Sequence, residues 1–579
     1  MAAEVVDVVP RTASPAIARA PLIVHLSSLA VAAVVLVWYD RHAWFWADEW
    51  DLINRSLHMT PRLMFEAHNA HWSTLPLLLW WPLVSTVGLH SYWPYLAPLL
   101  AVHLGLAHVL WRVMTSSGQN PWLATGLAAA FAVLGIGATN INSALQISFV
   151  GSVLLGYLAM RVADCATATR RDYLLCWLLL VLSTMSSGIG VVMTVAACLV
   201  ALIRRGWWAA LLTAAVPGTI YVVWYESIGQ YGSPLNRAGH GDFGKVPRFV
   251  VAGLKNAFAR PLHLPQEWGL IAFVALVLYL IVRARRRGLA DAAIAYAAMA
   301  MTVVLYVVVA SGRAQVGALS EAQRYAYVCV ALYLPAAGLA LDAVVRRLRH
   351  PAVLVVPVSL ALVAQELSLL NTTMARQARL TRAARTTTLA AAVVAREDPW
   401  LGPQRPYWKF PDLTMNVLRT LDDRGALPSL AGVTPEQKLA VRSVVEVNWY
   451  PTFVRTRGVL PIAGTSGARA VPGDAGCVEV LPTGPEPQVT VTVGSHPALL
   501  PVRVSTPGEV ELTLQLPSRT GEQSLGGGKA QVATGSTPPR SAHVTAEQGG
   551  TWRIGVQNVS ATIGLPAGGP SEVCGVSQR

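Results

Sequence analysis

The chain carries eleven apolar runs close to the length that crosses a lipid bilayer. A hydrocarbon core about 30 Å thick requires about 20 apolar residues in a helix. Only 13% of the 579 residues are charged and 53% are hydrophobic, whereas an ordinary soluble domain is about 25% charged. The sequence therefore predicts a mainly α-helical, polytopic bundle of about eleven transmembrane helices, at residues 21–39, 94–112, 121–139, 143–162, 173–186, 188–203, 208–226, 268–282, 290–310, 324–343 and 351–370.

Basic residues set the expected orientation of these helices. Arg11 and Arg19 precede the first run, which lacks a small-residue cleavage site and is read as a retained helix. The run Leu75 to Leu89 is short and broken by prolines, and we interpret it as a helix lying in the interface. The positive-inside tendency then places the N-terminus in the cytoplasm and the C-terminus outside the plasma membrane. It also places these clusters in the cytoplasm: Arg112, Arg161/Arg170/Arg171, Arg204/Arg205, Arg283/Arg285/Arg286/Arg287 and Arg346/Arg347/Arg349.

One alternative bears on this orientation. In it, residues 75–89 cross the bilayer and one of the thin runs near 173–203 does not.

The net charge of +14 resembles the charge of a nucleic-acid-binding protein. Most of the surplus lies in short clusters at the ends of apolar runs, where it orients helices in a bilayer. The expected partner is therefore the lipid bilayer, and no nucleic acid is expected.

The composition changes after Leu370 and predicts an extracytoplasmic tail. We divide the chain into a cytoplasmic tail (1–20), a membrane bundle (21–370) that includes a large outer loop (40–93), a helical linker (371–475) and a β-sandwich-like domain (476–579). Cys477 and Cys574 bracket the β-rich domain, and the other four cysteines lie in or beside membrane helices. An oxidising compartment favours a disulfide between the first two.

The outer loop opens with three carboxylates among three tryptophans, at residues 44–51: Trp44-Phe45-Trp46-Ala47-Asp48-Glu49-Trp50-Asp51. We call residues 44–51 the acid-rich segment. Partial desolvation raises the pKa of a carboxylate and makes it a better base. A positioned Asp or Glu can accept the proton of an attacking hydroxyl group, and the tryptophans can stack on sugar rings. The alternative is an aromatic belt with a solvated acidic cap on the next helix.

A second polar motif follows in the same loop, with two histidines three residues apart. Its sequence is Glu66-Ala67-His68-Asn69-Ala70-His71-Trp72-Ser73. Two histidines without a third clear ligand are a weak signal for a metal site. We therefore expect His68, Asn69 and His71 to form hydrogen bonds with a polar substrate and Trp72 to stack on a sugar ring, with helix capping as the alternative role of Asn69. No metal ligand is assigned and no cofactor is certain, and assistance by a divalent cation is left open.

Basic residues also occur in two later outer segments. Arg313 and Arg324 flank the turn at residues 311–325, on the side that basic residues avoid. Their forked guanidinium groups suit a phosphate, although pairing with Glu321 or lipid headgroups explains them equally well. Arg237 and Lys245 lie in a glycine-containing loop at 231–248, which is either a mobile lid or a plain connector.

Together these features resemble the GT-C superfamily of integral membrane glycosyltransferases. Over residues 20–370 the motifs Asp48-Glu49-Trp50-Asp51, His68-Asn69-Ala70-His71-Trp72 and Gln323-Arg324-Tyr325 resemble actinobacterial proteins grouped with this superfamily. The resemblance implies transfer of a sugar from a polyprenyl-phosphate donor to a cell-envelope glycan or glycolipid acceptor outside the membrane. It also implies that Asp48 is the catalytic base, with Glu49 as its nearest substitute.

The resemblance completes the expected site. Asp48 and Glu49 are expected to be catalytic, and the expected substrate-binding residues are Asp51, Trp50, His68, Asn69, His71, Trp72, Arg237, Lys245, Arg313, Arg324 and Tyr325. A lipid or glycan flippase without transferase activity is the main rival, since such transporters have polar or broken helices near the middle of the membrane. A membrane scaffold that displays the β-rich domain is the third reading.

Overall fold

The structure is a computed structural model of the whole chain. It describes residues 15–69, 71–231, 244–313, 322–397, 405–406, 410, 412–444, 448–450, 460–473, 477–492, 498–505, 508–515, 540–546, 551–556, 560–574 and 576–577.

The chain is mainly helical up to residue 444. Within the described residues the α-helices, numbered in chain order, are α1 Pro15–Asp40, α2 Glu49–Leu57, α3 Pro61–Phe65, α4 Thr74–Thr86, α5 Trp93–Ser116, α6 Pro121–Ala132, α7 Ala138–Asn142, α8 Ile147–Ala163, α9 Arg170–Ser186, α10 Ile189–Arg205, α11 Trp207–Trp224, α12 Lys245–Ala259, α13 Gln266–Arg287, α14 Ala293–Arg313, α15 Gln323–Val345, α16 Pro351–Glu397, α17 Met415–Asp423 and α18 Pro435–Val444.

Nine helical segments in the described part of the chain are long and apolar enough to cross a membrane. They include most of the predicted runs and indicate a membrane protein. The two runs near 173–203 form α9 and α10, each 17 residues long. At 1.5 Å per residue each is about 26 Å long, slightly less than the hydrocarbon thickness. Because these two helices are consecutive, counting both or neither leaves the number of crossings odd.

The outer loop folds into short elements between the first and second long helices. After α2 and α3, a two-stranded hairpin at residues 67–72 leads into α4. The helix α4 has 13 residues and is about 20 Å long, which is too short to span a bilayer. This length agrees with the interpretation of the run as an interfacial helix.

The predicted boundary at residue 370 falls inside a single helix. The helix α16 is 47 residues long and continues through residues 371–397. Hydropathy falls after Leu370, but this stretch contains neither Gly nor Pro and is rich in Ala and Arg, which favour helix. The end of the apolar run at Leu370 is therefore not the end of a helix.

The strand-containing region also begins earlier than the predicted residue 476. Three strands, at residues 448–450, 460–466 and 468–472, precede that boundary. The described strands of this region are β3 Asn448–Tyr450, β4 Leu460–Ser466, β5 Ala468–Pro472, β6 Cys477–Pro482, β7 Gln488–Thr492, β8 Ala498–Val504, β9 Gly508–Gln515, β10 Arg540–Ala546, β11 Thr551–Val556, β12 Ser560–Gly564, β13 Ser571–Cys574 and β14 Val576–Ser577; the hairpin strands are β1 Ala67–His68 and β2 His71–Trp72.

These later strands form two six-stranded sheets, in the orders β10-β9-β12-β7-β4-β14 and β3-β11-β8-β13-β6-β5. Alternate residues along the strands are buried, as Val489 and Val491 show in one sheet and Val502 and Val504 in the other. Cys477 and Cys574 face each other on neighbouring strands of the second sheet and form a disulfide. The sequence had predicted this pairing.

The chain divides into two compact units. The first contains residues 1–87 and 91–382, and the second contains residues 88–90 and 383–579. The acid-rich segment, the hairpin and all the described cations of the predicted site belong to the first unit.

Candidate functional site

The acid-rich segment turns the chain from α1 into α2. Asp48 is the N-cap residue of α2 and its carboxylate is half-buried. Successive backbone bonds tighten the turn, from Glu49 N–H to the Trp46 carbonyl and from Trp50 N–H to the Ala47 carbonyl. Acidic residues in a first helical turn complement the positive end of the helix dipole. Local helix chemistry therefore accounts for the position of the acidic residues, and their surroundings decide what each one does.

Glu49 is fully buried and acts as a structural anchor. Its carboxylate accepts hydrogen bonds from Trp46 N–H (2.8 Å), the Tyr92 hydroxyl (2.6 Å), the Ser143 hydroxyl (2.8 Å) and Leu145 N–H (3.2 Å). Burial raises the pKa of Glu49 to about 6, although these hydrogen bonds oppose the shift. Because its relative exposure is 0%, an acceptor hydroxyl cannot reach it. The expectation that Glu49 could replace Asp48 as base does not fit this position.

The Tyr92 hydroxyl extends this anchor. It donates to Glu49 and accepts from Ala144 N–H at 2.8 Å. Desolvation by burial, followed by the charge of Glu49, raises the pKa of Tyr92 well above its usual value, so the hydroxyl keeps its proton and serves as a donor. The acid-rich segment is thereby fixed to residues 143–145, which precede α8.

Asp51 forms a second ionic cluster on the next turn of α2. Its Oδ2 lies 2.6 Å from His68 Nδ1 and 3.3 Å from Arg55 Nη1. Burial alone would raise the pKa of Asp51, but its hydrogen bonds with His68 and Arg55 and the charge of Arg55 lower it below its usual value. Arg55 also donates to the carbonyls of Leu63 and Glu66. Asp51 is therefore ionised, and its hydrogen bond with His68 connects α2 to the hairpin.

Arg55 was not among the predicted site residues. Its signal in the sequence is the spacing of four residues from Asp51 on a helix, which places the two side chains on one face. That spacing is common on helices and has no functional meaning by itself. The burial of Arg55, with 6% relative exposure, comes from the chain segment that folds over it after α3.

The hairpin presents polar side chains toward Asp48. Its register pairs His68 with His71 and Ala67 with Trp72, so the two histidines share one face and Trp72 lies on the other. Asn69 at the turn has φ of 48°, a left-handed conformation that Asn tolerates better than most residues. Its Nδ2 lies 3.4 Å from Asp48 Oδ2 and 3.1 Å from His68 Nε2. A hydrogen-bonded chain thus runs from Asp51 through His68 and Asn69 to Asp48.

The proton positions in this chain follow from its partners. Because Asp51 is ionised and accepts only, His68 Nδ1 donates to it. His68 Nε2 then accepts from the Asn69 amide, whose second N–H points to Asp48. Asp48 is left with a second carboxylate oxygen to which the structure assigns no other hydrogen bond within the described residues. This arrangement can orient a carboxylate for proton transfer.

We expect Asn69→Gly to separate the two roles of this residue. Gly adopts a positive φ without strain, so the midpoint of thermal unfolding should stay close to that of the wild type. Loss of the amide should leave Asp48 less well oriented and lower a rate that depends on it about tenfold. A variant with the full wild-type rate would contradict the orienting role, and Asn54→Gly on α2 would report nonspecific effects of glycine in this loop.

His71 and Trp72 pack against other helices. His71 Nδ1 accepts from Gly188 N–H at 3.2 Å, and its ring meets Phe149 edge to face. Trp72 stacks on Trp224 with ring centroids 4.8 Å apart and donates its indole N–H to Thr74. With 4% relative exposure, Trp72 has no open face for a sugar ring. Trp44 and Trp50 are buried as well, whereas Trp46 is half-buried.

The predicted cations have different positions. Arg237 lies outside the described residues. Lys245 is exposed at the start of α12, and Arg313 is the last residue of α14, with its side chain outside the described part. Arg324 is half-buried at the start of α15, and its guanidinium lies 5.2 Å from the ring centroid of buried Tyr325. Among the described residues, Arg324 Nε has no hydrogen-bond partner.

One segment contacts both Arg324 and the acid-rich segment. Asn140 Nδ2 donates to the Arg324 carbonyl at 3.5 Å and to Gln146 Oε1 at 3.3 Å. Ser143 and Leu145, in the same stretch, bind Glu49. Residues 138–146 therefore connect the start of α15 with the start of α2, and the carboxylates and Arg324 lie on the same side of the bundle.

The described side chains offer one group of three that is close enough to share a metal ion, Cys477, Glu572 and Cys574. The two sulfur atoms of this group are joined in the disulfide. That leaves one carboxylate, which is too few ligands for a metal site. The group therefore gives no support for the divalent cation that the sequence left open.

No protein-family model, curated protein or solved structure matches the chain. The geometry of the site is therefore the basis for inferring the function.

Proposed function

We propose that the chain is a membrane glycosyltransferase that transfers a sugar from a polyprenyl-phosphate donor to a cell-envelope glycan or glycolipid acceptor. One observation carries the proposal: a half-buried Asp48 lies directly beyond the first candidate span and is oriented by Asn69 and His68. A donor with a lipid tail needs its reacting bond at the edge of the bilayer. A carboxylate in the segment that follows a membrane helix meets that requirement.

In the proposed step an acceptor hydroxyl displaces the polyprenyl phosphate from the donor sugar. The oxygen of an acceptor hydroxyl forms a bond with the anomeric carbon of the donor, and Asp48 takes the hydroxyl proton. The bond between that carbon and the phosphate oxygen breaks, and its electron pair leaves on the polyprenyl phosphate. Arg324 is proposed to stabilise the charge that develops on this leaving group. Arg313, Lys245 and Arg237 remain proposed contributors to donor binding.

The proposal includes an orientation of the chain. The N-terminus is cytoplasmic in the plasma membrane, and about eleven spans place the C-terminal strand region, as a β-sandwich, outside. The acid-rich segment then faces the outer surface. Labelling of a single cysteine introduced at exposed Arg62 in intact cells tests this placement, because a membrane-impermeant thiol reagent should reach it without permeabilisation. Since native Cys165 is exposed, the wild type is the labelling control.

The direct test of function is reconstitution. Purified protein in liposomes is supplied with a radiolabelled polyprenyl-phosphate sugar and an envelope glycan, and released polyprenyl phosphate is separated by chromatography. Release together with labelled glycan supports the transferase. Movement of labelled lipid between leaflets without cleavage supports the flippase alternative and overturns the proposal.

Arg324 provides a second test, on the leaving group. We expect Arg324→Gln to lower the rate of transfer about a hundredfold to a thousandfold, since one positioned donor to a developing anion is worth about that much. Arg324→Lys should recover part of the loss because it keeps the charge but not the fork. Arg112→Gln, at a predicted cytoplasmic cluster, is the control. Equal rates for Arg324→Gln and the wild type would remove Arg324 from the mechanism.

A further inference from the structure

The long helix α16 carries four arginines at three-residue spacing beyond its apolar part, and the first three of them belong to the first unit. Arg376, Arg379 and Arg382 lie three residues apart, and all three are exposed. Neighbours at this spacing on a helix lie side by side. We call these three residues the arginine stripe. No Asp or Glu occurs between Glu366 and Glu397, so the positive charge of the stripe is not balanced along its own helix.

Contacts with the end of α1 show where the stripe lies relative to the bilayer. The Thr381 hydroxyl lies 3.4 Å from the His42 carbonyl, two residues past the end of the first candidate span. Arg41 lies over the Trp38 ring at 3.9 Å, and Trp is enriched where helices leave the hydrocarbon. Partial desolvation, Arg382 and Arg41 lower the pKa of His42. The stripe and the end of α1 therefore form one cationic surface at the membrane interface.

The length of α16 leads to the same placement. From Pro351 to Arg379 the helix rises about 42 Å at 1.5 Å per residue, which matches a bilayer of about 40–45 Å including its headgroups. Arg346, Arg347 and Arg349 precede the other end. One end of the helix thus carries its cations at one headgroup layer and the stripe lies at the other.

We propose that the arginine stripe, together with Arg41, binds the phosphate groups of anionic phospholipids in the adjacent leaflet. Guanidinium groups bind phosphate through two parallel hydrogen bonds, and a leaflet with net negative charge attracts interfacial basic residues. The apolar part of the same helix supports a lipid occupant, because Leu360 is 64% exposed. Acyl chains that cover this surface bring their headgroups to the level of the stripe.

The test uses the full-length protein in mixed nanodiscs or detergent micelles and measures retained lipids by native mass spectrometry. Wild type should retain phosphatidylglycerol in preference to phosphatidylcholine. The triple variant R376Q/R379Q/R382Q should lose at least tenfold of this preference, since each interfacial charge is worth about fivefold. The triple Arg→Lys variant should keep most of it. N371A/T372A, at exposed uncharged positions on the same helix, should bind like the wild type.

Four outcomes would overturn the proposal. They are an unchanged preference in the triple Gln variant, an equal loss in N371A/T372A, no preference in the wild type, and retention of polyprenyl phosphate alone in lipid mixtures that contain it. If the triple variant does not fold, the single variant R379Q should show a fivefold loss. Because lipid retention is measured without substrate turnover, this result is independent of the proposed transferase activity.

Discussion

Asp48→Asn is expected to lower the rate of sugar transfer by about 10²–10⁴, the usual contribution of a positioned general base. Asparagine has nearly the same shape as aspartate and keeps an oxygen for the Asn69 amide, but it cannot take a proton from the acceptor hydroxyl. The structure should therefore survive while turnover is lost. The measurement is the initial rate of polyprenyl phosphate release in proteoliposomes, with circular dichroism and the unfolding midpoint recorded on the same samples.

Glu66→Gln is the matched control for this variant. Glu66 lies in the same outer loop and is half-buried. Its backbone carbonyl, and not its side chain, accepts a hydrogen bond from Arg55. Neutralising this side chain removes a charge from the loop but leaves the hydrogen bonds from Asp51 through His68 and Asn69 to Asp48 unchanged. The rate should therefore stay within a few fold of wild type. Full turnover by Asp48→Asn, or an equal loss in Glu66→Gln, would end the assignment of Asp48 as base.

Glu49→Ala is expected to destabilise the first unit by about 3–5 kcal/mol. The change leaves four donors without their acceptor, two of them on the buried residues Tyr92 and Leu145. Each unsatisfied buried group costs about 1–3 kcal/mol, and relaxation of the surrounding structure relieves part of this cost. The midpoint of thermal or chaotrope unfolding should fall accordingly. Tyr92→Phe removes one of the four donors and should cost less. Equal midpoints for Glu49→Ala and wild type would show that the buried anchor carries no stability.

The same carboxylate predicts a pH dependence. The folded pKa of Glu49 is about 6, against an ordinary value of 4.5, so the folded state binds the proton more tightly than the unfolded state. The protonated group therefore contributes to the free energy of unfolding, and this contribution is complete below pH 4.5. It falls by about 2 kcal/mol as the pH rises through about 6. Glu49→Gln should lack this component. Parallel pH profiles for the two proteins would contradict the raised pKa.

Asp48 and Glu49 show how far the sequence could lead in the site. The two residues are adjacent and chemically similar, and the sequence allowed either to be the base. Their difference comes from Tyr92, Ser143 and Leu145, which are far away in the chain and enclose one carboxylate while leaving its neighbour half-buried. Trp72 shows the same effect, since its partner Trp224 turned an expected sugar platform into a packed pair.

The fold was easier to predict where a local rule decides it. The first helix and the short helix at residues 74–86 follow from apolar length. The boundary at residue 476 missed three earlier strands because it was inferred from a change in composition, whereas strands continue until backbone pairing ends.

The sequence by itself determined that this is a helical membrane protein, that acidic residues follow its first long helix, and that two late cysteines would pair. These properties depend on apolar length and local composition, which neighbouring residues carry. The tertiary structure alone decided which carboxylate is enclosed, which indole rings are covered, and that the arginine stripe of α16 lies beside the end of α1. Those outcomes depend on contacts between residues up to several hundred positions apart, and burial, hydrogen bonding and pKa are properties of such contacts.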